Sequence, residues 1–113
     1  MRCLLAVIII AFAVYAQNTT PSGNAQKGRQ LFQSYGCYQC HGREAQGGAG
    51  TGPRLAPKPI PYPALTKYVR RPTGQMPPYT QRVVSDQDLA DIYAFLSAQP
   101  EPPSAKSIPL LNQ

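Results

Sequence analysis

The chain has few of the side chains that build metal sites and disulfide frameworks. Its 113 residues include three cysteines, one histidine and no tryptophan. Only 14% of the residues are charged, and only five are acidic. Thirteen prolines and nine glycines argue against long regular elements, which predicts short helices joined by stiff loops. A single domain of this length has a thin apolar core, so we expect something besides side chains to fill its centre.

One apolar run, residues 4–14, lies near the N-terminus and is typical of a secretory signal peptide. Arg2 precedes it, and Val14 and Ala16 are the small residues that a signal peptidase recognises. An uncleaved anchor is the alternative, but the uncharged run is shorter than the roughly 20 residues that span a bilayer. We therefore predict a signal peptide at residues 1–16, export to the periplasm and no membrane span after cleavage.

Removal of this segment would leave two cysteines, and both lie in the stretch "YGCYQCHG". Cys37 and Cys40 stand three positions apart, and the single histidine, His41, follows directly. A structural zinc site usually needs four ligands, but only these three would remain. A thioredoxin-like dithiol requires a strand-helix-strand pattern, which residues 42–55 lack. The third possibility is covalent attachment of haem, in which each thiol adds to a vinyl group and the histidine becomes an axial ligand.

A second axial ligand can be sought by elimination. His41 is the only histidine, and Met76 would be the only methionine after cleavage. Met76 lies in "PTGQMPPY", where Gly74 gives the backbone freedom and two prolines stiffen the loop. Core packing is the alternative role for a methionine, but Met76 has no apolar neighbours at helical spacing. The pattern favours iron ligation by the thioether.

These segments together resemble the class I cytochromes c over residues 23–98. "CYQCH" matches the haem attachment site, "GPRL" (52–55) resembles the segment after it, and "GQMPPY" resembles the methionine-ligand loop. The resemblance implies a small all-α cytochrome c fold, with three to four short helices and loops around one covalently bound haem c per chain. Residues 17–22 would then be an N-terminal extension, and residues 99–113 a proline-rich tail that we expect to be extended or disordered.

The resemblance also implies roles for individual residues. Cys37 and Cys40 would hold the haem, and His41 and Met76 would bind its iron. The carbonyl of Pro53 would accept the Nδ1 proton of His41, and Leu55 would pack on the haem. Arg54 and Tyr62 are candidates for contacts to the propionates.

Apolar spacing predicts three of the helices. The first begins near Gly23 or Asn24 and runs into the attachment site, and it buries the face that carries Gly28 and Phe32. The last begins at a Ser85 N-cap and carries an apolar stripe of four residues: Leu89, Ile92, Tyr93 and Leu96. We expect Gly28 and Phe32 to cross the last helix at Tyr93.

A third, shorter helix is predicted from Pro63 to Arg71. Proline is favoured in the first turn of a helix, and Pro72 would end this one. Leu65, Tyr68 and Val69 are expected to face inward.

Charge is unevenly distributed along the chain. Residues 54–82 contain six basic residues and no acidic one, whereas three of the five acids lie in the last helix. The basic segment would attract redox partner proteins with an acidic docking face, or it is simply a solvated surface. Nucleic-acid binding is not expected of an exported protein with so few clustered aromatic residues.

With both axial positions of the iron filled, no open position remains for a substrate, and the chain would not be an enzyme. The expected function is that of a periplasmic one-electron carrier, acting as a monomer. One alternative is a small cytochrome c subunit, or a dedicated partner, of a periplasmic dehydrogenase or oxidase complex. The other is a five-coordinate haem sensor or peroxidase, which would require Met76 to be displaced.

Overall fold

The computed structural model describes residues 20–113. The predicted signal peptide and residues 17–19 of the predicted extension at 17–22 lie outside the described residues. The described part of the chain contains four α-helices: α1 (Ala25–Ser34), α2 (Tyr38–His41), α3 (Tyr62–Arg70) and α4 (Asp86–Ser97). Residues 20–113 contain no strand beyond one isolated bridge between Gly48 and Gly52. The predicted all-α fold of short helices and loops is confirmed.

Side-chain caps set the starts of α1 and α4. The side chain of Asn24 accepts a hydrogen bond from the Lys27 amide at 2.8 Å, and Ser85 accepts one from Asp88 at 3.0 Å. Such caps satisfy amide groups that have no partner within the helix. Because capping depends on neighbouring residues only, both starts were predictable from the sequence.

The first helix does not run into the attachment segment as predicted. It ends at Ser34, and a turn separates it from α2. Gly36 in this turn has a φ of +79°, which an L-residue in a right-handed helix does not adopt. The turn therefore lets α2 leave the axis of α1, so the attachment residues form a separate helical turn.

α1 and α4 form the main helix pair, and Gly28 lies at their closest approach. A Cβ atom on Gly28 would overlap the backbone carbonyl of Asp91. Phe32 packs on Phe95, with ring centroids 5.4 Å apart. The predicted contact of this face with Tyr93 is wrong, because Tyr93 faces α3 and meets the Tyr62 ring edge-on at 5.3 Å.

A buried carboxylate joins the start of α1 to α4. Asp91 is 3% exposed, and its Oδ1 accepts a hydrogen bond from the Asn24 amide at 2.8 Å. Lys27 lies 3.0 Å from Oδ2, and Gln87 donates to Oδ1 at 3.2 Å. The amide of Asn24 first, and then Lys27 and Gln87, hold the pKa of Asp91 below its ordinary value against the opposing effect of burial.

α3 begins one residue earlier than predicted and ends one residue earlier, at Arg70. Leu65 is buried and Val69 is half-buried. Tyr68 was expected to face inward, but it is 40% exposed and its hydroxyl donates to the Thr73 carbonyl at 2.7 Å. The helix thus presents a narrower apolar face than the spacing suggested.

The tail contains two single turns of 3-10 helix, Ala105–Ser107 and Pro109–Leu111. The Asn112 amide group donates to three carbonyls of this segment. Leu110 and Leu111 are exposed. Nowhere in residues 20–113 is there a helix with the length and hydropathy required to cross a membrane.

Candidate haem site

An apolar pocket lies among the helices and the two loops that connect α2 to α3 (42–61) and α3 to α4 (71–85). Four of the predicted site residues line it: Cys37, His41, Leu55 and Met76. The remaining lining residues are aliphatic or aromatic: Phe32, Leu65, Val69, Tyr79, Val84, Leu89, Ile92 and Leu96. None of the lining residues carries a carboxylate, so the imidazole and the sulfur atoms are its main potential metal ligands.

His41 is the last residue of α2 and is 8% exposed. Its Nδ1 lies 2.8 Å from the carbonyl oxygen of Pro53. A carbonyl only accepts, so Nδ1 carries the proton and Nε2 has the free lone pair. This bond fixes the tautomer and orientation of the ring and raises its basicity as a ligand.

The loop between α2 and α3 folds back over His41. The Gly47 amide donates to the His41 carbonyl at 2.7 Å, and the Leu55 amide donates to the Ala45 carbonyl at 2.9 Å. Ala45, which is part of this loop, is fully buried. These backbone bonds bring Leu55 to the pocket and Pro53 to the imidazole.

Gly52 allows the loop to approach the histidine closely. A Cβ atom there would lie 2.8 Å from the Cys40 carbonyl oxygen and 3.0 Å from His41 Nδ1. In the sequence, Gly52 stood out only as the first residue of "GPRL". Its packing against the imidazole is a long-range contact that no local pattern indicates.

Met76 reaches the same pocket from the loop after α3. Tyr79, three residues further on, holds this loop in place: its amide donates to the Val69 carbonyl at 3.0 Å, and its hydroxyl donates to the Tyr35 carbonyl at 3.1 Å. Sequence analysis missed Tyr79, which lines the pocket and fastens the methionine loop to two helices. His41 and Met76, which are 35 positions apart in the sequence, therefore share one pocket.

A family model described as cytochrome C oxidase, cbb3-type, subunit III matches residues 23–96, which is more than half of the chain. The chain belongs to this family. It is a c-type cytochrome domain, and this places it among haem proteins that transfer electrons. Comparisons with curated proteins and with solved structures gave no match.

The two cysteines of the cytochrome domain differ in their surroundings. Cys37 lines the pocket and Cys40 is exposed, and no disulfide joins them. Burial raises the pKa of the Cys37 thiol to about 11, so it is protonated at neutral pH. A redox-active dithiol instead needs a thiol whose pKa is lowered, so this environment disfavours that alternative.

Neither candidate for a propionate contact lines the pocket of the cytochrome domain. Arg54 is exposed. Tyr62 is buried, and its hydroxyl donates to the backbone carbonyl of Asp86 at 3.1 Å. Tyr62 therefore serves to join α3 to α4.

The residues present fit a haem by the chemistry of their donor atoms. One imidazole nitrogen is free, one thioether lines the same pocket, and two thiols lie on the adjoining helical turn. Histidine and methionine are an axial pair found in cytochromes c. Within residues 20–113, no cluster of three or more His, Cys, Asp and Glu side chains offers a competing metal site.

Proposed function

We propose that this cytochrome domain is a periplasmic one-electron carrier that holds a single haem c. Cys37 and Cys40 would form its two thioether bonds, and His41 and Met76 would be the axial ligands. The observation that carries the proposal is that His41 and Met76 line one apolar pocket, with the His41 ring oriented by Pro53.

A bound haem supplies an iron that exchanges one electron between its ferric and ferrous states. The Met76 thioether favours the ferrous state, and the apolar lining does the same by excluding water from the pocket. The Pro53 carbonyl keeps Nε2 of His41 available and strengthens the imidazole as a donor. Transfer of one electron through a haem would require no catalytic acid, base or nucleophile from the chain.

The charge distribution supports a partner with an acidic docking face. Of the six basic residues between positions 54 and 82, Arg70 pairs with Asp86 and Lys58 pairs with Glu101. The other four have no carboxylate within ion-pairing distance among residues 20–113: Arg54, Lys67, Arg71 and Arg82. Unpaired surface cations of one sign would steer an anionic partner toward this part of the chain.

Optical spectroscopy of the purified ferric protein tests the ligands. Methionine ligation predicts the weak long-wavelength sulfur-to-iron charge-transfer band and slow carbon monoxide binding by the reduced form. A missing band together with rapid carbon monoxide binding would contradict Met76 ligation and favour a five-coordinate sensor or peroxidase. Haem that stays with the polypeptide during acid-acetone extraction supports thioether attachment, whereas haem that passes into the solvent contradicts it.

Export is tested by sequencing the mature N-terminus of the periplasmic fraction. The proposal predicts a chain that begins at Gln17. A mature protein that retains residues 1–16 would contradict cleavage after Ala16.

A second candidate function is that of a subunit, or a dedicated partner, of a periplasmic oxidase or dehydrogenase complex. The match to the family described as subunit III of a cbb3-type oxidase favours it. Size-exclusion chromatography of a native extract, followed by haem absorbance, separates the two functions. A free carrier elutes at the size of the monomer, and a subunit elutes with a large complex.

A further inference from the structure

Arg70, the last residue of α3, donates hydrogen bonds to two different elements. Its Nη1 lies 2.9 Å from the Tyr79 carbonyl oxygen, and its Nη2 lies 2.8 Å from Oδ1 of Asp86. The guanidinium therefore connects α3 to the methionine loop and to the first turn of α4. The Arg70 side chain is only 18% exposed, so its guanidinium is largely shielded from solvent.

The loop that carries Met76 is fastened near both ends. At its start, the Tyr68 hydroxyl donates to the Thr73 carbonyl at 2.7 Å. Near its end, the Tyr79 amide donates to the Val69 carbonyl, and the Tyr79 carbonyl accepts a hydrogen bond from Arg70. Gln81 donates to Oδ2 of Asp86 at 2.6 Å. Between these points Gly74 has a φ of +88°, and within residues 20–113 no hydrogen bond to Met76 holds the loop.

We propose that Arg70 is a positioning residue that holds the Met76 loop against the pocket. This inference rests on the proposed ligation by Met76. Of the two bonds, the one to the Tyr79 carbonyl fixes the loop. The Asp86 side chain is 57% exposed, so its ion pair with Arg70 is screened by solvent and mainly orients the guanidinium.

The test measures how often the loop opens in the haem-loaded full chain. Carbon monoxide reaches the reduced iron only when Met76 has left it, so its association rate follows the population of the open loop. Loss of a hydrogen bond to a charged group should increase the population of the open loop about ten- to one-hundredfold. We expect that increase for Arg70→Met and a smaller one for Arg70→Lys, since one ammonium group cannot reproduce the fork of two bonds.

Arg71→Met is the matched control, because it removes the same charge from the adjacent, exposed position. It should bind carbon monoxide at the wild-type rate. A wild-type rate in Arg70→Met would overturn the inference, even if its denaturation midpoint falls, because that pattern indicates a purely structural role. If Arg70→Met does not fold, Arg70→Lys decides: a raised rate supports the inference, and a wild-type rate overturns it.

Failure of the proposed ligation has a different signature. In that case the wild-type protein itself lacks the sulfur-to-iron band and binds carbon monoxide rapidly, before any variant is compared. A wild-type protein with the band, together with an unaffected Arg70→Met, refutes only the role of Arg70.

Discussion

Gly28 in α1 lies directly against the backbone carbonyl of Asp91 in α4, with no room for a Cβ atom between them. The contact fixes the distance between the two helices that close one side of the pocket. On the same face of α1, Phe32 packs on Phe95 and also lines the pocket. Helix packing and cofactor site are therefore linked through one face of α1.

Gly28→Ala should destabilise the protein by about 1–3 kcal/mol because of overpacking at this crossing. Intrinsic helix propensity predicts the opposite sign, a gain of about 1 kcal/mol. Denaturant unfolding of the haem-loaded protein decides between the two. Gln30→Ala, at an exposed position of the same helix, is the control and should change stability little. A stabilised Gly28→Ala protein would show that the helices are not in contact here.

Asp91→Asn should reduce stability at neutral pH by about 1–3 kcal/mol and weaken the acid dependence of unfolding. The pKa of Asp91 is lowered in the folded state, first by the Asn24 amide and further by Lys27. Its contribution is therefore fully present above the ordinary pKa of about 3.9 and is lost as pH falls below it. Unfolding free energies measured from pH 7 to pH 2 check this.

Glu101→Gln is the charge-matched control for Asp91, because Glu101 is exposed and its ion pair with Lys58 is open to solvent. It should keep the wild-type loss of stability in acid. If the Asp91→Asn protein loses stability in acid as steeply as the wild-type protein does, a group other than Asp91 causes that loss.

Gly52→Ala should push the loop away from His41 and weaken the bond between His41 and Pro53. The overpacking should cost about 1–3 kcal/mol of stability. A weaker hydrogen bond to Nδ1 makes the imidazole a poorer donor, so the reduction potential should rise. Potentiometric titration and denaturant unfolding measure the two effects. Ala49→Ser, at an exposed position of the same loop, should change neither; an unchanged potential in Gly52→Ala would contradict the proposed close approach.

Met76→Ala should abolish the sulfur-to-iron band, speed carbon monoxide binding and lower the reduction potential. The shift should be on the order of 0.1 V, within the roughly 0.8 V that axial ligands span. The direction follows because the thioether stabilises the ferrous state. Gln75→Ala removes an exposed neighbour in the same loop and should leave the band in place. An unchanged potential in Met76→Ala would count against its role as a ligand.

Oxidation of the reduced protein by anionic hexacyanoferrate(III) should slow as ionic strength rises, because salt screens attraction to the unpaired basic residues. Lys67→Gln combined with Arg71→Gln should flatten this dependence. Arg43→Gln is the control, since Arg43 is exposed outside the basic segment and stacks over Tyr38. Equal salt dependence in the wild-type protein and the double variant would indicate that the basic segment, residues 54–82, does not face the site of electron transfer.

Local chemistry made much of this fold predictable. Helix caps at Asn24 and Ser85 depend on side chains within three residues of the amides they bind, so a short stretch of sequence specifies them. The cysteine spacing before His41 and the presence of Met76 as the one methionine besides Met1 are properties of the sequence alone. They indicated a c-type cytochrome, and the family that the comparison identified is consistent with that prediction.

The contacts that assemble the site depend on the tertiary structure. Apolar spacing placed Tyr93 opposite α1, but Phe95 occupies that position because α4 packs against α1 on one side and α3 on another. Tyr68 continues an apolar pattern yet points to the surface. A periodic pattern indicates which residues share a face of a helix; it does not indicate which neighbour covers that face.

The sequence by itself therefore determined the chemistry of the donor atoms: two thiols, one imidazole and one thioether. Only the tertiary structure decided how they are held. The approach of Gly52 to His41 and the hydrogen bonds from Arg70 to Tyr79 and Asp86 join segments that are far apart along the chain or that belong to different elements. Close packing and hydrogen-bond geometry between such segments exist only after the chain has folded, which is why no local pattern indicates them.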